Sequence, residues 1–269
     1  MKKSASFLVL AACLAWTALS HADDQVVRAD ATNGSDRTGG ASTTPTLIFT
    51  PAAALPAMTS RVTAGAEGQT TAGAYDKARP IVSAEVGLGR GFTVGAGSHW
   101  FGGDGAHDLS GLSPYAQLRY QLFGSADGYG LLGGTSLTYK RIGYAGSQES
   151  EAEGAFSLQY RKPTYELGAQ GVFGQSFKDA GEHDVEGHGY GGYRVIPELL
   201  VGFAGQLRAG VGEREANSPK ATWDGLGGAM VSATLGVFQI GTLAGVSTIG
   251  LPTGSRVSPA GQVFGSFRF

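Results

Sequence analysis

Two polar stretches of this 269-residue chain set acids beside histidine. Asp104, His107 and Asp108 fall within "GGDGAHDLS", and Glu182, His183 and Asp184 within "KDAGEHDVEG", with His188 just after. A carboxylate next to an imidazole can activate water for hydrolysis, and the same groups can ligate a divalent cation. Nothing in the sequence brings the two stretches together, so solvated polar loops are the plainer reading and no metal is assigned. "GYGLLG", from Gly128 to Gly133, matches G-x-G-x-x-G. A dinucleotide fingerprint needs a helix after its glycines, whereas the following "GTSLTYKR" is strand-like, so no nucleotide cofactor is expected. P-loop, H-E-x-x-H and G-x-S-x-G motifs are missing from the sequence, and an enzyme is not expected.

The elements that carry these residues come next. Residues 1–22 read as a secretory signal peptide: Lys2 and Lys3 open it, an apolar run spans Phe7 to Leu19, and Ser20-His21-Ala22 precedes Asp23. Leu10-Ala11-Ala12-Cys13 also fits a lipoprotein lipobox, but the apolar core continues through Leu14-Ala15-Trp16. Cys13 is the only cysteine, so a chain cleaved after Ala22 has no disulfide and no thiolate ligand. Cleavage leaves 18 basic against 22 acidic residues, a formal charge of −4, and no basic footprint for nucleic acid. Glycine is frequent, 45 of 269 residues, yet it is interleaved with Val, Leu, Phe and Tyr, which points to many short strands and tight turns.

Residues 23–56 differ from the rest. "DDQVVRADATNGSDRTGGASTTP" is polar and unpatterned, and 23–56 reads as a flexible periplasmic segment. Its end, "TLIFTPAAALPA", is either an extended lead-in or a piece that tucks into the remainder. From 57 onward the period is two, the signature of strands. "SPYAQLRYQLF" sets Ala116, Leu118, Tyr120 and Leu122 against Tyr115, Gln117, Arg119 and Gln121. "GAFSLQYRK" and "YELGAQGVF" alternate in the same way. About twelve such segments occur, near 58–67, 80–89, 91–101, 111–123, 129–142, 153–162, 165–176, 187–196, 198–211, 222–235, 237–247 and 257–269. Short Gly/Pro connectors alternate with long polar ones.

The last segment, "GQVFGSFRF", carries Val263, Phe267 and Phe269 on one face and ends on an aromatic. In this, and in its alternating loop lengths, the chain resembles Gram-negative outer-membrane β-barrels. The resemblance implies an all-β fold, a transmembrane antiparallel up-and-down barrel of about twelve strands over 57–269, in the bacterial outer membrane with both ends in the periplasm. It also implies that Val263, Phe267 and Phe269 form the signal read by the barrel-assembly machinery, and that lipid and lipopolysaccharide surround the wall. Both acid–histidine loops would then sit on the extracellular rim, where a hydrolase like the omptins, or a cation bridging lipopolysaccharide phosphates, is a remote alternative.

Two other folds compete. Between Asp224 and Arg256 no residue is charged, and "LGGAMVSATLGVFQIGTLAGVSTIGL" is long enough for a spanning helix. Six glycines and the alternation on either side of Gly236 favour two lipid-facing strands joined by a turn. A soluble sandwich or lipocalin-like barrel is the other competitor.

The wet face holds Arg61, Arg119, Lys140, Arg161, Arg194, Arg208 and Arg268 against Glu67, Glu85 and Glu166. Two arrangements fit such a face: a water-filled lumen whose Arg119, Arg161 and Arg194 favour anions, or ion pairs with Glu85 and Glu166 that fill a narrow barrel. The expected function is therefore a small solute channel with weak anion preference. The alternative is a non-conducting structural or interaction barrel, partnered by envelope proteins of a secretion, polysaccharide-export or surface-motility assembly.

Overall fold

Alternating side chains build one wall. The computed structural model describes residues 46–69, 79–100, 112–125, 128–144, 147–177, 183–211, 223–251 and 254–269. All of these lie in the second of the two units into which the chain divides, Thr38–Phe269. The strands are β1 (Ser60–Gln69), β2 (Arg79–Gly89), β3 (Phe92–Trp100), β4 (Leu112–Phe123), β5 (Gly130–Tyr144) and β6 (Ser147–Arg161). They continue with β7 (Tyr165–Ser176), β8 (His183–Ile196), β9 (Leu199–Val211), β10 (Trp223–Leu235), β11 (Phe238–Leu251) and β12 (Gly254–Arg268). Each pairs antiparallel with its sequence neighbours, and β1 pairs with β12, so the sheet closes into a barrel with no free edge.

The seam is completed by the chain's last residue. Ser60 N–H donates to the Phe269 carbonyl at 2.8 Å, and Phe269 N–H donates to the Ser60 carbonyl at 3.0 Å. Val263, Phe267 and Phe269 all face outward there, with Phe267 stacked on Phe269 at 5.6 Å. The uncharged run that competes as a helix is the β10–β11 hairpin, turned at Gly236-Val237 with Gly236 at φ 61°.

Twelve strands agree with the alternation, but several reach farther than its apolar signal. β6 begins at Ser147 rather than near 153, β8 at His183 rather than near 187, and β11 and β12 meet across 252–253. Consequently "SQESEAE", expected in a long loop, pairs with β5 up to Tyr144↔Ser147. About 9–11 tilted residues cross the hydrocarbon, whereas β5, β6 and β12 have 15 each. Beyond the bilayer a strand needs no apolar outer face, so its sequence loses the alternation while its backbone ladder continues.

Exterior and interior separate cleanly. Phe203 is 72 % exposed beside Ala204 at 6 %, and Val263 is 53 % exposed beside Phe264 at 3 %. The outward set (Leu118, Leu137, Leu158, Leu167, Phe203, Leu207, Val231 and Ile240 among others) is a continuous apolar belt, which in water would be an aggregation surface and in a bilayer is the matched one. Tyrosines 120, 160, 165 and 193 lie near the short-turn end, and Tyr139 and Trp223 near the other, as interfacial girdles do. Lys162 in the β6–β7 turn lies over the rings of Tyr160 and Tyr165 at 5.8 and 5.7 Å.

Inside the wall runs residues 46–56. Thr46, Ile48, Phe49, Ala52, Ala53 and Leu55 are each 8 % exposed or less. Of the two expectations for "TLIFTPAAALPA", the structure takes the second, and this end of the 23–56 segment is packed in the lumen. The reason is apolar content: an Ile-Phe pair and an Ala-Leu run bury better than they solvate.

Candidate functional site: a plugged lumen

Near the short-turn end four inward arginines share two carboxylates in two clusters. Arg61 Nε donates to Glu85 Oε2 at 2.7 Å, and Arg119 Nη2 lies 2.8 Å from Glu85 Oε1. Glu166 Oε2 lies 3.2 Å from Arg161 Nε and accepts from Arg194 Nη2 at 2.9 Å, while Tyr190 Oη donates to Glu166 Oε1 at 2.5 Å. Glu166 is 1 % exposed, Arg119 3 % and Arg161 4 %. Charges this deep persist only when paired and hydrogen-bonded. Arg119, Arg161, Arg194, Glu85 and Glu166 thus face the lumen, arranged as clusters around the two carboxylates.

Toward the long-loop end lie the acids. Lys140 pairs with Glu153 and sits 3.3 Å from Glu151. Arg208 pairs with Asp184 and sits 3.6 Å from Glu186. His188 bridges Glu186, at 2.8 Å from Nε2, and Gln170, at 3.0 Å from Nδ1. Glu151, Asp184 and Glu186 fall just before the segments near 153–162 and 187–196, where apolar alternation stops, and Glu153 falls at the edge of the first. Extending period two by four residues places all four on the wet face.

The lumen is consequently polarised along its axis. Among the described side chains, Arg61, Arg119, Arg161, Arg194 and Arg268 face Glu85 and Glu166 in the short-turn half, an excess of three positive charges. Among the described side chains of the long-loop half, Lys140 and Arg208 face Glu67, Glu151, Glu153, Asp184, Glu186 and Asp224, an excess of four negative charges.

From mid-barrel to the short-turn end the plug is gripped by its backbone. Thr50 N–H donates to Gln170 Oε1 at 3.3 Å, Ala52 N–H to Gln159 Oε1 at 2.6 Å and Ala54 N–H to Gln121 Oε1 at 3.1 Å. Leu55 N–H donates to Thr93 Oγ1 at 2.9 Å, and Arg119 Nη1 donates to the Pro51 carbonyl at 3.3 Å. Pro51 has no N–H to satisfy, and Ile48 N–H donates locally to Thr46 Oγ1 at 3.0 Å. Side chains from β3, β4, β6 and β7 thus replace the sheet partners that a buried backbone requires.

Two wall glycines make the approach possible. A Cβ on Gly134 would fall 2.4 Å from the Ala52 carbonyl oxygen, and one on Gly87 would fall 2.0 Å from that of Pro56. Phe49 anchors the other end in an apolar pocket of Tyr190, Leu200, Ala204, Leu226, Met230 and Leu243. Its ring meets Tyr190 edge-on at 4.8 Å and 77°.

The grip and the ion clusters are one network. Gln159 Nε2 donates to Tyr190 Oη at 2.7 Å, and Tyr190 donates onward to Glu166. Beside the plug, against β1–β4, a cavity of about 120 Å³ remains, bounded by Arg61, Glu85, His99 and Tyr115. That volume has room for a few waters.

Of the weak metal candidates, Asp104, His107, Asp108 and Glu182 lie outside the described residues. His183 faces outward, stacked on Phe173 at 5.6 Å, whereas its neighbour Asp184 faces inward onto Arg208. Adjacent strand residues point to opposite faces, so these two do not share a ligand sphere. Among the described residues no three His, Cys, Asp or Glu side chains gather as a metal site.

No family model matches the sequence, and no curated protein matches it. Solved structures do match in three dimensions. The NanC porin superposes with a TM-score of 0.53 at 9 % identity, covering 77 % of this chain and 98 % of that one. An outer-membrane channel from Pseudomonas putida F1 superposes with a TM-score of 0.51 at 11 % identity, covering 81 % of this chain and 97 % of that one. The fold, the apolar belt and the charged interior define a bacterial outer-membrane β-barrel of twelve antiparallel strands.

Proposed function

We propose that the protein is an outer-membrane channel for small solutes, closed in the described state by its own residues 46–56. The observation that carries this reading is the nature of the occlusion. The wall itself is complete without the plug, every strand pairing with its neighbours, and the centre is filled by a separate segment held through hydrogen bonds and one aromatic anchor. Such a segment can leave without breaking the sheet. The fold likeness to porins and channels supports the same reading.

A weak anion preference belongs to the short-turn half, where Arg119, Arg161 and Arg194 stand among the excess positive charges. The acidic long-loop half opposes it, so the preference is small. In a planar bilayer under a KCl gradient, the reversal potential of the open state is expected to favour chloride modestly. The double substitution Arg119→Gln and Arg194→Gln is expected to abolish that bias, and an unchanged reversal potential would remove the assignment of these residues.

A non-conducting interaction barrel is the second reading. The observation on its side is the depth of plug burial, with only a small cavity left. Co-purification of stoichiometric envelope proteins, without any current from plug-loosened variants, would select it.

A further inference from the structure

The plug shows what kind of molecule the lumen is built to hold. Recognition falls on the main chain: four N–H groups within 50–55 meet side-chain acceptors on four different strands, and one carbonyl meets Arg119. The side chains add apolar packing: Ile48 and Phe49 join one buried cluster, and Ala52 and Ala53 pack with Leu132 in another. The wall is reduced to glycine at 134 and 87, where a backbone carbonyl comes closest.

We infer that the cradle of Thr93, Gln121, Gln159, Gln170 and Arg119 is a binding site for a polypeptide main chain. On this view, 46–56 is its intramolecular occupant, and the solute class of the opened barrel is apolar peptide. Glutamine acceptors take the N–H groups of Thr50, Ala52 and Ala54, alternate residues of a segment that bends at Ala52-Ala53. The opposite wall, with Leu200, Leu226, Met230 and Leu243, takes an apolar side chain as it takes Phe49. A peptide in this tube satisfies its donors on the wall instead of on water. The inference rests on the reading of 46–56 as a removable plug, and it assigns a ligand that the channel reading leaves open.

The test uses full-length protein carrying Phe49→Asp, which puts a charge into the apolar pocket and releases the segment. Ile48→Asp serves if the first variant does not shift in a heat-modifiability gel. The probe is a fluorescent peptide with the sequence of residues 46–56, measured by polarisation in detergent micelles. Saturable binding to the variant is expected, with at least tenfold weaker binding to wild type, whose own segment competes. Methylating the peptide nitrogens at the positions of Ala52 and Ala54 removes two donors and is expected to weaken binding by about tenfold or more. Gln159→Leu in the same background is expected to weaken the unmodified peptide and to narrow the difference made by methylation.

Equal binding of methylated and unmethylated peptides would overturn the inference, as would no binding, or displacement of the peptide by an acidic oligosaccharide at lower concentration. Current through the same variant tests the channel reading separately. Conductance without peptide binding leaves a channel for other solutes, and peptide binding without conductance leaves a peptide-binding barrel.

Discussion

Single residues show which charges matter. Glu166 joins two arginines and Tyr190 at 1 % exposure, so Glu166→Gln leaves the buried Arg161 and the part-buried Arg194 short of their counter-ion. It is expected to destabilise the folded barrel by about 3 kcal/mol, the low end for a broken buried pair, read as a lower guanidinium midpoint of the heat-modifiable band. Lys162→Ala, on an exposed turn beside two tyrosines, is expected to change stability by less than about 0.5 kcal/mol. A shift of comparable size in both would mean that burial does not set the cost. The lumen-facing direction of Arg119, Arg161 and Arg194 was legible, because period two fixes which side of a strand a residue occupies. Their partners were only half legible. Glu85 and Glu166 stood within apolar alternation, but Glu151 and Asp184 lie where strands leave the bilayer and the apolar signal ends.

At the scale of the element, the plug separates glycines that the fold needs from those it tolerates. A Cβ at Gly134 meets the plug backbone, whereas one at Gly171 on the exterior has nothing within 4 Å. With Ala53→Cys as a reporter, buried at 1 % exposure, Gly134→Val is expected to speed maleimide labelling at least tenfold. Gly171→Val is expected to leave labelling as it is. Equal rates in both would mean that the segment does not press on the wall. Gln159→Leu removes the acceptor of Ala52 N–H and the donor to Tyr190 at once. It is expected to loosen the plug by about 1–3 kcal/mol, giving intermediate labelling. The plug's entry into the barrel was one of two alternatives the sequence left open, and its partners there were not legible. Its composition of Ile, Phe, Ala, Leu and Pro announced burial, but no local pattern says which lumen side chains will take its amides.

For the whole molecule, closure of the sheet and occlusion of its centre are separate facts. Closure follows from twelve paired strands and the Ser60–Phe269 hydrogen bonds at the seam, because a bilayer leaves no unpaired backbone satisfied. The alternation, the uncharged β10–β11 hairpin and the terminal Phe269 carried that much in sequence alone. Occlusion depends on long-range packing of 46–56 against β3, β4, β6, β7 and the β8–β11 pocket, and only the assembled barrel displays it. Its most direct test is single-channel recording of wild type and Phe49→Asp in the same planar bilayer. Discrete conductance steps are expected from the variant, with wild type closed or opening only in brief, rare events. Equal silence from both proteins, with the variant folded by gel shift, or equal steady current from both, would contradict a channel closed by its own amino-terminal segment.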